Sequence, residues 1–156
     1  MGNIIIRKAS LNDLPTLLRF ELGVIAAERP LDSTLKKGDI HYYDIKSMIN
    51  SPDVELLVAV TGLEIIGCGY ARIENAKPYL QHQQHAYLGF MYVDPAYRGK
   101  GVNKKIIAAL KQWSLSRHIT EMRLDVYYEN PSAIKAYEKA GFSKYMIAMR
   151  MGLKDE

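Results

Sequence analysis

Arg98, Gly99, Lys100 and Gly101, followed by Asn103, Lys104 and Lys105, put four cations and two glycines into eight positions. That combination suits a bulky anion. Glycines let a ligand come close to the backbone, and the first amides of a helix carry unpaired N–H groups and a partial positive charge. The flanking elements must therefore be a strand before and a helix after. Tyr87 to Val93 is an apolar, aromatic-rich run that stops at Asp94-Pro95, as a strand would. Val102, Ile106, Ala109, Leu110 and Trp113 then recur at three- and four-residue steps and predict a helix reaching His118. Between Tyr97 and Lys111 every charged residue is basic. A phosphate-bearing ligand is the chemistry this turn invites.

Two familiar phosphate loops do not fit. A P-loop requires Gly, four residues, then Gly-Lys-Ser or Gly-Lys-Thr, whereas Gly101 leads into Val102-Asn103. A dinucleotide fingerprint requires three glycines near the first strand of its unit. The turn resembles instead the pyrophosphate loop of the GNAT family, the Gcn-related N-acetyltransferases, whose pattern is Gln or Arg, two residues, Gly, one residue, then Gly or Ala. Arg98 and Gly101 match the first two marked places, and Asn103 stands in the third. A second stretch, Glu129 to Phe142, resembles the other GNAT signature, in which Asn, Ala and Tyr precede Gly-Phe: Asn130, Ala133 and Tyr137 come before Gly141-Phe142. One helix and one strand separate the two motifs, as in that family. The resemblance spans about Ile4 to Met151 and is specific from Met91 to Phe142.

The resemblance implies an acetyl-CoA-dependent N-acetyltransferase acting on a primary amine by direct attack on the thioester. It implies that Arg98, Gly99, Lys100, Gly101, Asn103 and Lys104 hold the pyrophosphate. Backbone groups of Met91 and Val93 would pair with the pantetheine arm, on a strand that splays from its neighbour. Asn130, Ala133 and Tyr137 lie at i, i+3 and i+7, on one helix face. Ala133 leaves room there, and Asn130 can both cap the helix and guide the arm. Tyr137 is the expected general acid, since a phenol of pKa about 10 keeps its proton at neutral pH. No metal is expected. Many relatives place a Glu on the fourth strand as base, but Ala86 to Phe90 contain no acid. Glu21, Glu74, His82, His85 or a water chain are the alternatives, with His82 and His85 read as exposed loop residues. A non-catalytic CoA-binding sensor or interaction module is the other reading.

The wider chain agrees with this class. Its 156 residues suit a single domain over 1–156, and 48% hydrophobic with 24% charged residues is ordinary globular composition. The net charge of +4 is modest and local, which argues against a nucleic-acid binder. The lone Cys68 excludes an internal disulfide and suits the cytoplasm. Cys68 sits in an apolar run and reads as core. No run is long enough to span a membrane and no signal peptide opens the chain. Met1-Gly2 begins like a myristoylation site, but Ile6 occupies the place of the required Ser or Thr. The expected partners are the amine acceptor and, in a homodimer, a second copy.

The remaining elements follow from periodicity and punctuation. Strands are predicted at Ile4–Lys8, Glu55–Val60, Ile65–Glu74, Glu121–Tyr127 and Lys144–Met151. Ser10, with Asp13 three residues on, starts a helix whose stripe is Leu14, Leu17, Leu18, Leu22 and Ile25. A second helix is predicted over Ile40–Ile49, ended by Ser51-Pro52-Asp53. Gly62 marks a hairpin, and Gly67 and Gly69 a bulge or close backbone approach. Asn75 to His85 reads as a polar connection. Asn130-Pro131 opens the last helix and Gly141 closes it. The expected fold is α/β (α+β), a GNAT-like mixed, mostly antiparallel central sheet flanked by helices.

Overall fold

A computed structural model describes residues 3–154; Met1 and Gly2 lie outside the described residues. The chain forms β1 (Ile4–Lys8), α1 (Leu14–Glu28), α2 (Ile45–Asn50), β2 (Val54–Thr61), β3 (Glu64–Asn75), β4 (Gln84–Val93), α3 (Val102–Ser116), β5 (Met122–Arg123) and α4 (Pro131–Lys139). The sheet order is β1-β2-β3-β4-β5. The first four strands are antiparallel neighbours, and β5 lies parallel to β4. This is the expected mixed, mostly antiparallel sheet with helices on both sides. No helix among the described residues is long and apolar enough to cross a membrane.

Strand alternation divides the core in two. Leu56 and Val58 of β2 face α1 and α2, packing with Leu17, Phe20, Ile45 and Met48. Leu57 and Ala59 face the other way and pack with Val102, Ile106 and Leu110 of α3. The α3 stripe is thus the predicted one. The α1 stripe is rotated from the predicted one: Leu17, Phe20, Glu21 and Ile25 are buried, whereas Leu18 and Leu22 are exposed. A carboxylate occupies the inner face because it has backbone donors there.

Those donors also explain α2. The amides of Tyr42 and Tyr43 both donate to Glu21 Oε2 at 2.8 Å. They are diverted from a helix, so α2 starts only at Ile45. Asp44 caps it, accepting from the Ser47 amide at 3.1 Å.

Two strands differ from expectation at the C-terminal edge. The predicted fifth strand, Glu121–Tyr127, pairs only at Met122 and Arg123, because β4 diverges beyond Tyr87. The predicted strand Lys144–Met151 is not a strand. It has the pattern but no backbone partner among the described residues. Conversely, β4 begins at Gln84, earlier than expected, because Gln84 and His85 pair with Asn75 and Glu74.

The α1 entrance is locally encoded. Asp13 Oδ2 accepts from the Ser10 amide at 2.8 Å, and both its oxygens accept from Arg7, at 2.8 and 2.9 Å. The Arg7 guanidinium holds the Asp13 carboxyl below its ordinary pKa. A depressed carboxylate stabilises the fold above the unfolded-state value, about 3.9, and that contribution disappears as pH falls through the folded value. Asp13→Ala should therefore cost about 1–2 kcal/mol at neutral pH, the usual worth of a cap. Urea titrations of the two proteins should converge below about pH 4. A gap that stays constant into acid would assign the loss to packing instead.

Candidate active site

The site begins with a fault in the sheet. Between Cys68 and Tyr70 the register with β4 shifts, so that Phe90 and Met91 together oppose the single residue Gly69. This is a β-bulge. Phe90 takes a left-handed φ of 52°, uncommon for an aromatic residue. Three contacts hold it there. Its ring stacks on Tyr43 at 4.5 Å, its side chain is buried, and its carbonyl accepts from the Cys68 thiol at 3.4 Å. Burial pushes the Cys68 thiol up, so it stays protonated and belongs to the core. The predicted close approaches are here too: a Cβ on Gly67 or Gly69 would run into Tyr92 O or Met91 Sδ.

The bulge decides which backbone groups face the gap. The Ala86 amide donates to Glu121 O on the β5 side, whereas the Asp94 amide donates to Ile66 O on the β3 side. Counting back from Asp94 by strand alternation, the amides of Met91 and Val93 point away from β3, into the opening between β4 and β5. Among the described residues, no strand covers that side of β4 beyond Tyr87. The Met91 and Val93 side chains pack against the α3 layer.

At the end of β4 the chain turns through Pro95–Tyr97 into the basic loop. Gly99 and Gly101 adopt φ of 77° and 80°, which residues with a Cβ rarely do. The result is a run of six amides, Gly99 through Lys104, that donate to no group among the described residues. Arg98 stabilises the turn from outside, donating Nε–H to Val93 O at 3.0 Å and lying 5.6 Å above the Tyr92 ring. The Lys100 ammonium lies 5.5 Å from the Tyr97 ring. Asn103 is half-buried and its Oδ1 is buried without a partner. Half a turn of that amide would present a donor at the same place.

After β5 the chain forms α4, which packs on the α3-side core through Tyr137. Asn130 is its cap, accepting from the Ala133 amide at 3.3 Å. Gly141, at φ 109°, terminates it, and the Phe142 amide closes back on Tyr137 O at 3.0 Å. Tyr137 stands edge-on to Phe142 at 5.9 Å, with its ring against the α3 layer. Burial, and then the nearby Glu28 carboxylate, push the Tyr137 phenol above its ordinary pKa.

The proposed bases are engaged elsewhere. Glu21 is fully buried and also contacts His41 Nδ1 at 2.8 Å; its role is to hold the 41–43 loop. Glu74 is paired with Arg72 and lies 3.5 Å from His85 Nε2. The sequence predicts exposed loop histidines; in the structure His82 lies in the loop but is half-buried, and His85 is in the sheet. His85 is buried on β4, and His82 packs edge-on against it, 3.3 Å from Glu121.

Glu28 was missed. It lies seven residues after Glu21 and hence on the same α1 face, which was the available signal. Burial raises its pKa. The Tyr42 hydroxyl approaches it without reaching hydrogen-bond geometry and is otherwise unpartnered. Tyr127, pushed up to about 12 by burial and by Asp32, donates to Asp32 at 2.9 Å beside it. A cleft of about 470 Å³ opens next to this group, lined by Tyr42, Tyr43, Met48, Tyr70, Arg72 and Tyr87 among others. The Arg72 guanidinium lies 5.5 Å from both the Tyr70 and Tyr87 rings. The structure therefore brings Glu28 near Tyr137 and sets the basic loop after the end of the one-sided strand.

A strand left uncovered on one side thus leads into a glycine-rich helix start. Residues 25–142 match the Acetyltransferase (GNAT) family. The chain belongs to that family. It is 34% identical over 86 residues to the uncharacterized N-acetyltransferase YycN of Bacillus subtilis (strain 168), covering 55% of this chain and 53% of that one. The chain thus spans about half the length of that curated relative. In fold it is similar to a mutant of the BH1408 protein of Bacillus halodurans, with a TM-score of 0.87 at 20% identity over 96% of this chain and 99% of the other. It is also similar to a predicted acetyltransferase of Clostridium acetobutylicum crystallised with acetyl-CoA, with a TM-score of 0.74 at 18% identity over 96% of each chain.

Proposed function

We propose that the protein is an acetyl-CoA-dependent N-acetyltransferase acting on a primary amine. The observation that carries this reading is the run of six unpartnered amides, Gly99 to Lys104, at the start of α3 beside the uncovered side of β4. Successive amides in left-handed turns form an anion-binding concavity, and the four nearby cations add charge. The residues present fit a pyrophosphate. The amides of Met91 and Val93 fit an extended arm that takes the place of a missing strand, with Asn130 and Ala133 opposite.

Acetyl-CoA would supply an activated thioester carbonyl. The chain's own residues must position it, remove a proton from the amine and hold one for the leaving sulfur. A free alkylamine of pKa about 10.4 arrives charged. Glu28 is placed to attract that cation and accept its proton, since its raised pKa makes it a stronger base than an ordinary carboxylate. The tyrosine-lined cleft, with Arg72 at its wall, offers the amine an approach. Tyr137 keeps its proton at neutral pH and can deliver it to sulfur from its hydroxyl. The Met91 amide is the donor best placed for the developing oxyanion.

Release of free thiol on mixing with acetyl-CoA and a panel of amines tests the reaction. The panel should include small amines, amino-acid derivatives, amine-bearing antibiotics and peptide amines. Binding of CoA with no thiol release for any amine would favour the non-catalytic CoA-binding module. Gly101→Val forces a side chain into a left-handed position, and calorimetry should show CoA affinity at least about tenfold weaker. Undiminished affinity would remove the loop from the cofactor site. Tyr137→Phe should slow turnover roughly ten- to a thousandfold with CoA affinity unchanged. In Glu28→Gln, the acid limb of the kcat/KM profile should vanish. In the native protein that limb lies above the ordinary glutamate value, because activity requires the deprotonated form of a group whose pKa is raised. An unaltered limb would exclude Glu28 as the base.

A further inference from the structure

Among the residues lining the tyrosine-rich cleft, the charged ones are Asp44 and Arg72. Asp44 is engaged as the cap of α2. Arg72 is therefore the free charge that an entering molecule meets, and its guanidinium is only half used. Glu74 Oε2 occupies one side of the fork, accepting from Nε at 2.9 Å and from Nη2 at 2.6 Å. The end of the fork remains: Nη1 and the second hydrogen of Nη2 donate to no group among the described residues. A guanidinium holds its N–H donors in a fixed plane, so this end can take a carboxylate in bidentate fashion.

The fork is also held still. It lies 5.5 Å from the centroids of both the Tyr70 and Tyr87 rings. Tyr87 stands directly opposite Arg72 in the β3–β4 register, and its hydroxyl is tied to Asp125 at 3.1 Å. Tyr70 stands opposite Gly89, where a Cβ would run into the phenol. Glu74 and the two rings thus order the guanidinium before any ligand arrives, and binding to it costs little further entropy. The nearby acids do not compete: Glu74 is paired with Arg72, and Asp125 accepts from Tyr87.

An aromatic path leads from this fork towards Glu28. The Tyr43 ring lies 6.0 Å from Tyr70 and 5.7 Å from Tyr42, and the Tyr42 hydroxyl approaches Glu28. Met48 and Val54 add apolar wall. The order is a cationic fork, an apolar and aromatic middle, and a carboxylate. We infer that the acceptor is an amine that also carries a carboxylate, such as an ω-amino acid, with its carboxylate on Arg72 and its amine towards Glu28. This rests on the reading of the protein as an N-acetyltransferase and adds Arg72 as a residue that determines specificity. The transfer itself is unchanged: the N–C bond forms as the thioester C–S bond breaks. Of the two protons the ammonium loses, one leaves through Glu28; Tyr137 supplies one to sulfur and is reprotonated by the other. A plain alkylamine leaves the fork without its partner, and a site built around such a partner discriminates against molecules that lack it. The same cation disfavours acceptors that carry several amines and no acid.

Thiol release from acetyl-CoA with matched acceptors tests this. ω-Amino acids of increasing length are compared with the n-alkylamines of the same lengths. For at least one length, kcat/KM for the ω-amino acid should exceed that for its alkylamine at least about tenfold. In Arg72→Gln the ratio should fall to about one, chiefly through KM, since the lost contact serves binding and not the chemical step. Because the ratio is read within one variant, a general loss of activity does not mimic this result. Arg72→Lys keeps the charge without the planar fork and should retain only part of the preference. Alkylamines that react as well as ω-amino acids at every length, or a preference that survives in Arg72→Gln, would overturn the proposal and leave the N-acetyltransferase reading intact. If no amine releases thiol, that reading fails, and calorimetry with CoA present decides the matter: ω-amino acids must bind more tightly than alkylamines and lose that advantage in Arg72→Gln. Equal binding of the two series would overturn the proposal.

Discussion

The divergence of β4 from β5 is the constraint on which the rest of the site depends. A strand in a sheet ordinarily satisfies donors and acceptors on both sides. β4 does so toward β3 along nearly its whole length, but toward β5 for only two residues. The bulge at Phe90 and Met91 sets which amides are left facing the opening, and Phe90 is kept in its left-handed conformation by Tyr43 and Cys68. A strand with unsatisfied groups is costly unless something takes the missing neighbour's place. The protein places its basic, glycine-rich loop at the open end of that strand.

A buried carboxylate organises the opposite wall. Glu21 has no solvent exposure, and burying a charge is tolerable only when it is fully hydrogen-bonded. It accepts from two consecutive amides and contacts His41, and in doing so it prevents α2 from starting earlier. The extended 41–44 loop this creates carries Tyr42 toward Glu28 and Tyr43 onto Phe90. One side chain on α1 thereby links the helix layer to the bulge in the sheet.

What was legible in the sequence was local. Gly99, Gly101 and the cations around them announced the loop; Asn130, Pro131 and Gly141 marked both ends of α4; the α3 stripe was correct because it is a simple apolar face. Long-range features were not legible. Nothing near Glu21 in sequence reveals that the amides 21 and 22 residues later will claim it, so apolar periodicity predicts Leu18 and Leu22 inward. Glu28 shared that fate. His82 and His85 sat in a polar run, but pairing of β3 with β4 drew His85 inside. Lys144–Met151 had a strand's pattern but pairs with no strand among the described residues, which pattern alone does not reveal.

Tyr92 has a mechanical consequence. Its ring fills the space a side chain on Gly23 would need, so α1 lies directly against it, and it also packs on Phe20 at 4.8 Å. Arg98 covers the same ring from the loop side. The basic loop and the helix that ends in Glu28 thus share one aromatic spacer with no slack between them. A smaller residue at Tyr92 would therefore remove packing from both at once.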